Sequence, residues 1–164
     1  HLPQSLGAGL WNRCKLVPLR FFEALTLKQL EKTEQANLIF KDIAEIEVEY
    51  FSNMHLKELP YFKALAMQQL GQHTKAQQTL TAALRQWQKF GEIQDNGFFN
   101  TTPFFIPFVE SPKKLRRAQY CYLLALCSSA MQKPQTAQQL LQESLAKNSE
   151  NLLALSFLKF GFPG

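Results

Sequence analysis

The chain has 164 residues, 46% of them hydrophobic and 19% charged, with a formal charge of +5, which is the balance of a globular protein of one domain or one continuous solenoid. The positive charge is spread along the chain apart from Lys113, Lys114, Arg116 and Arg117, so it does not form the basic stripe of a nucleic-acid binder. No apolar run reaches the length of a membrane span. The three cysteines (Cys14, Cys121, Cys127) are odd in number and lack metal-ligand spacing, which argues against a disulfide framework or a zinc site.

Residues 1–17 are Gly-, Pro- and polar-rich and read as a linker or the end of a preceding repeat. The start, HLPQSLGAGL, lacks the basic-then-apolar order of a signal peptide and resembles the interior of a longer protein. Residues 18–164 read as one helical repeat domain. Pro18 suits the first turn of a helix, where its missing N–H costs nothing. Phe21, Leu25, Leu27 and Leu30 then follow helical spacing. A polar break at Glu31-Lys32-Thr33 predicts a second helix from about Glu34 to Tyr50, with Ala36, Ile39, Phe40, Ile43, Ile46 and Val48 on its apolar face.

The next hairpin spans about 57–90. Leu59, Phe62, Leu65, Ala66 and Leu70 define its first helix, which Gly71 stops by accepting a left-handed conformation. The second opens at His73 or Thr74 and runs through Ala76, Leu80, Ala83, Leu84 and Trp87 to about Phe90. Residues 91–112 break the pattern with two Gly, three Pro and five Phe, and Thr-Pro at 102–103 predicts a short helix near 103–110. A third hairpin spans about 113–147, its first helix opened by Ser111-Pro112 and its second by Pro134. An amphipathic helix over about 150–160 closes the chain and is expected to cover the apolar edge of the last repeat.

One spacing ties these elements together. Ala24 and Ala36 are twelve residues apart, as are Ala64 and Ala76, and Ala125 and Ala137; a bulky residue (Phe40, Leu80, Leu141) follows four after the second alanine each time. Small residues at matched places on consecutive helices let their backbones approach closely, which is how helical hairpins stack. The expected fold is all-α, with about seven helices and a short helix in the insertion.

These frames resemble the tetratricopeptide repeat, over about residues 18–150. The turn glycine of that repeat is kept at Gly71 and replaced by Glu31 and Gln132; Ala83 keeps the last small position, Ser144 nearly does and Ile43 does not; Ser149 stands where a proline is usual. The resemblance implies a right-handed α-α superhelix whose first helices line a concave face. LPQSLG, YFKALAMQQLG, GFFNTTPFFIPFVES and RRAQYCYLLAL further resemble the C-terminal repeat region of large bacterial multidomain proteins that carry an uncharacterised mutarotase-like β-sandwich domain.

By the tetratricopeptide resemblance, the partner-binding groove comprises Phe21, Leu25, Lys28 and Gln29 from the first hairpin, Tyr61, Leu65, Gln68 and Gln69 from the second, and Gln119, Tyr122, Leu126 and Ser129 from the third. Tyrosine suits recognition because it combines apolar area with a hydrogen-bonding tip. The clamp that reads acidic chaperone tails needs Lys and Asn where this chain has Phe21 and Leu25, which argues against that ligand. Phe98, Phe99, Phe104, Phe105 and Phe108 of the insertion form a second candidate; exposed together they would exceed a stable monomer's apolar patch, so burial against the neighbouring hairpins is expected.

Enzyme chemistry has little support. His1, His55 and His73 are scattered, no Gly-rich phosphate loop or HExxH spacing occurs, and Glu45, Glu47 and Glu49 point to different sides of a helix. Asn100-Thr101-Thr102 is followed by Pro103 and reads as a chance glycosylation spacing, and Ser111-Pro112-Lys113-Lys114 reads as a helix start. The sequence thus points to a non-catalytic scaffold without cofactor or metal, holding another protein or another domain of its own chain rather than nucleic acid. The alternative is a helical accessory domain of a carbohydrate-processing enzyme whose catalytic part lies upstream.

Overall fold

The computed structural model describes residues 16–46, 57–92 and 112–163. Among them are seven α-helices and no strand: α1 (Val17–Gln29), α2 (Thr33–Glu45), α3 (Leu59–Gln69), α4 (His73–Glu92), α5 (Pro112–Ala130), α6 (Pro134–Lys147) and α7 (Leu152–Phe160). They fall into two compact units, 1–81 and 82–164, and the division lies inside α4. The expected helix at 103–110 lies outside the described residues.

The helices begin where proline permits. Pro18, Pro60 and Pro134 each stand in a first turn, where a ring without N–H removes no intrahelical bond. At α7 the start is a side-chain cap instead: Asn151 Oδ1 accepts the Ala154 N–H at 3.1 Å.

The ends of α1, α3 and α5 share one turn. Glu31, Gly71 and Gln132 adopt φ of 62°, 73° and 58°. In each case that residue's N–H bonds the carbonyl three back (Lys28, Gln68, Ser129). The next N–H bonds the carbonyl five back (Lys32 to Leu27 at 2.9 Å, Gln72 to Met67 at 2.8 Å, Lys133 to Ser128 at 2.9 Å). This is the Schellman arrangement, which satisfies the last carbonyls of a helix while reversing the chain. Glu31 and Gln132 hold the glycine conformation despite carrying a Cβ. The following helix starts at once, with Ala36, Ala76 and Ala137 closing its first bonds onto Lys32, Gln72 and Lys133.

The alanine frame is the core. Ala24, Ala36, Ala64, Ala76, Ala125 and Ala137 are all fully buried, as are Phe40, Leu80 and Leu141. In the first unit α1 packs on α2, and α3 packs on both. Phe21 sits with ring centroids 5.6 Å from Phe40 of its own hairpin and 5.7 Å from Phe62 of the next. Arg20 bridges to Asp42 at 2.8 Å, joining α1 to α2. Lys63 donates to the Ile46 carbonyl at the end of α2, a favourable place for a cation because the helix dipole is negative there. Thr79 donates to Met67 Sδ across the second hairpin.

In the second unit α5 packs on α6, and α6 on α7. Ser144 Oγ donates to the Ala118 carbonyl at 2.8 Å. Tyr122 stacks on Phe157 of α7, and Phe157 on Phe162.

One boundary corrects the sequence reading. The helix expected to reach Tyr50 ends at Glu45, because Ile46 leaves helical geometry with ψ of 117°. Residues 47–56 lie outside the described residues. Ile46 is β-branched and stiff at χ1, which lowers the cost of leaving the helix there.

Candidate functional site

The residues expected to line the groove divide by burial. Phe21, Tyr61 and Tyr122 hold the same place in the three frames and all are buried, which corrects their reading as exposed lining. The cause is packing between consecutive first helices: Phe21 meets Phe62, and Tyr122 meets Phe157. Such ring pairs add attraction beyond simple burial, and Tyr61 makes an edge contact with Phe62 at 5.1 Å. Leu65 and Leu126 are buried too, and Leu25 is half-buried.

What stays accessible is polar. Lys28 and Gln29 are exposed; Gln68, Gln69, Gln119 and Ser129 are half-buried. Lys28 Nζ donates to Gln69 Oε1 at 2.8 Å, so two of these residues, from α1 and α3, stand side by side. The accessible lining in the first unit is therefore an amide-and-ammonium edge, while the aromatic residues of the same helices are buried. Phe98, Phe99, Phe104 and Phe105 lie outside the described residues.

The basic cluster opens α5. Lys113 and Lys114 are exposed. Arg117 is drawn into its own unit, 3.5 Å from Glu143 and with its guanidinium carbon 5.2 Å from the centre of the Tyr120 ring. Glu143 also pairs with Lys147 one turn on. Its carboxylate is held below the usual range, first by the hydrogen bond from Cys121.

Cys121 and Cys127 are buried free thiols, as the apolar pattern around them implies. Burial pushes Cys127 up to about 12. Burial, assisted by Glu143 as hydrogen-bond partner, pushes Cys121 up to about 11. A thiol that stays protonated at neutral pH is a poor nucleophile. No group of three or more metal-ligating side chains occurs among the described residues, and none of their helices is long and apolar enough to cross a membrane.

Sequence reasoning missed α7 as a fourth copy of the first-helix frame. Asn151-Leu-Leu-Ala154-Leu155 through Phe160-Gly161 aligns with Tyr61-Phe-Lys-Ala64-Leu65 through Leu70-Gly71. Ala154 is fully buried like its counterparts, but Gly161, with φ of 83° and ψ of 173°, bonds the carbonyl four back and does not repeat the turn at Gly71. The signal was Ala154 with a glycine seven residues on. It is masked because Asn151 replaces the leading aromatic residue. Around this helix Leu152, Leu153, Leu155, Leu158 and Phe160 are exposed. Compared with known proteins, the chain matches no family model, no curated protein and no solved structure.

Proposed function

We propose that this chain is a non-catalytic helical-repeat scaffold of tetratricopeptide-like, right-handed superhelical design, whose polar first-helix edge holds another protein or another domain of the same polypeptide. The observation that carries this reading is the Lys28–Gln69 hydrogen bond. It sets accessible recognition groups of consecutive first helices next to each other, over a packed core that fixes their spacing. Amide and ammonium groups along this edge suit an extended peptide, whose carbonyls accept their hydrogen bonds.

Site-specific photo-crosslinking tests it. A photoreactive side chain placed at Gln29, Gln68 or Ser129 is expected to trap a discrete partner from an extract of the source organism. The same group at Gln78 or Gln138, exposed on second helices, is expected to trap none. Equal trapping from both sets, or trapping from the second helices alone, would overturn the assignment.

A further inference from the structure

We infer that the open face of α1 is a docking surface and that its occupant is the segment of this same chain directly ahead of it, residues 1–15. With Ala24 set on Ala64, α1 and α3 carry the same residues at the same places: Leu19 matches Leu59, Phe22 matches Phe62 and Leu30 matches Leu70. Their burial differs. Leu59 and Phe62 are 1% and 4% exposed, while Leu19 and Phe22 are 67% and 43% exposed. α3 packs on the hairpin that precedes it, with Phe62 against Phe21. α1 presents the same side chains, and among the described residues they stay open to solvent. Leu19, Phe22 and Thr26 lie within about 60° of one side of the helix at 100° per residue, opposite the buried Val17, Phe21 and Ala24. The exposed Leu30 follows at the end of the helix. The counterpart in α3 shows what this pattern accepts: apolar side chains from the preceding stretch of the chain.

Size and charge select the occupant. Leu19, Phe22 and Leu30 leave on the order of 300 Å² of apolar surface. A standard stable interface takes roughly 800 Å² per partner, so a free partner, a second copy included, gains too little here. A tethered segment needs less, because attachment holds it at an effective concentration of about a millimolar. Residues 1–15 end two residues before Val17, the first of α1, and hold Leu2, Leu6, Leu10 and Trp11. A stretch of that length reaches up to about 50 Å when extended. The face is only about 16 Å long from Leu19 to Leu30, at 1.5 Å per residue. Charge agrees with this choice. The segment carries Arg13 and Lys15 and no acidic residue. Glu23, next to Phe22 in the chain, is exposed and has no ion pair among the described residues.

The test reads Trp11 in the full 164-residue chain. Trp87→Phe leaves Trp11 as the sole tryptophan. Its emission is expected to be blue-shifted, and shielded from acrylamide, relative to the same chain in urea. Phe22→Asp is expected to lower the ratio of docked to undocked segment on the order of tenfold. Emission and quenching should then move toward their urea values while helical circular dichroism stays unchanged. Leu38→Asp, at a place on α2 as exposed as Leu19, is expected to leave both as they are. Fluorotryptophan in the chain with both tryptophans covers the case in which Trp87→Phe fails to fold. The fluorine resonance lost in Trp11→Phe is expected to move with Phe22→Asp and to stay with Leu38→Asp. A Trp11 as accessible as in urea overturns the inference. So does a shielded Trp11 that Phe22→Asp does not release, which marks another seat, and so does shielding that fades on dilution, which marks the segment of a second copy.

Discussion

Glu31 and Gln132 carry the largest local cost that can be named in this fold. A side chain at φ near +60° crowds its own carbonyl and costs an L-residue roughly 1–2 kcal/mol, and these two accept it at 62° and 58° to complete a turn that Gly71 completes freely. Glu31→Gly and Gln132→Gly should therefore each raise stability by about 0.5–1 kcal/mol, after the extra freedom glycine gives the unfolded chain. Gly71→Ala should lower it by about 1 kcal/mol: a Cβ there meets nothing within 4 Å, so the loss is conformational alone. Denaturant midpoints decide both, and a lower midpoint for Glu31→Gly would refute the account. The buried thiols give a second residue-scale expectation. Their folded pKa values lie above the ordinary 9.0. The stability they contribute is full below pH 9.0 and is lost as the pH rises through about 11 and 12. Urea unfolding followed from neutral to alkaline pH should show a steeper decline for the native chain than for Cys127→Ala.

At the level of elements, the hairpins rest on small residues facing each other. Ala64→Leu or Ala125→Leu adds three carbons where exposure is already zero and should cost roughly 1–3 kcal/mol. Gln78→Leu on an exposed face should stay within about 0.5 kcal/mol. Thermal or denaturant unfolding of the three variants checks the contrast. Much of this was legible in the sequence: the twelve-residue alanine spacing, the prolines that open α1 and α6, and Gly71 ending α3 all mark real boundaries. The burial of Phe21, Tyr61 and Tyr122 was not legible. Periodicity tells which face of a helix is apolar, but not how many neighbours share that face. Within the first unit α1 meets both α2 and α3, and within the second Tyr122 of α5 meets Phe157 of α7, so aromatic residues expected at a rim are buried. Ile46 was misread for a related reason, since a continuing apolar period over Ile43, Ile46 and Val48 says nothing about where the backbone turns.

For the molecule as a whole, the +5 charge invites a nucleic-acid reading. Arg117 is engaged by Glu143 and the Tyr120 ring, which leaves less of the cluster at the start of α5 directed to phosphates. Titration with a short DNA duplex is expected to show no affinity that falls steeply with salt; a slope of several counterions would reinstate the basic patch as a binding site.

The shared turn also dictates where the chain can change length. From Ala24 to Ala64 is 40 residues, from Ala64 to Ala125 it is 61, and from Ala125 to Ala154 it is 29, yet within every hairpin the interval is twelve. The backbone bonds at Glu31, Gly71 and Gln132 explain the contrast. One residue inserted there would swing the following helix about 100° around its axis, carrying Ala36, Ala76 or Ala137 off the buried line and Gln35, Lys75 or Thr136 onto it. The three reversals thus act as reading-frame marks that tolerate substitution but not indels.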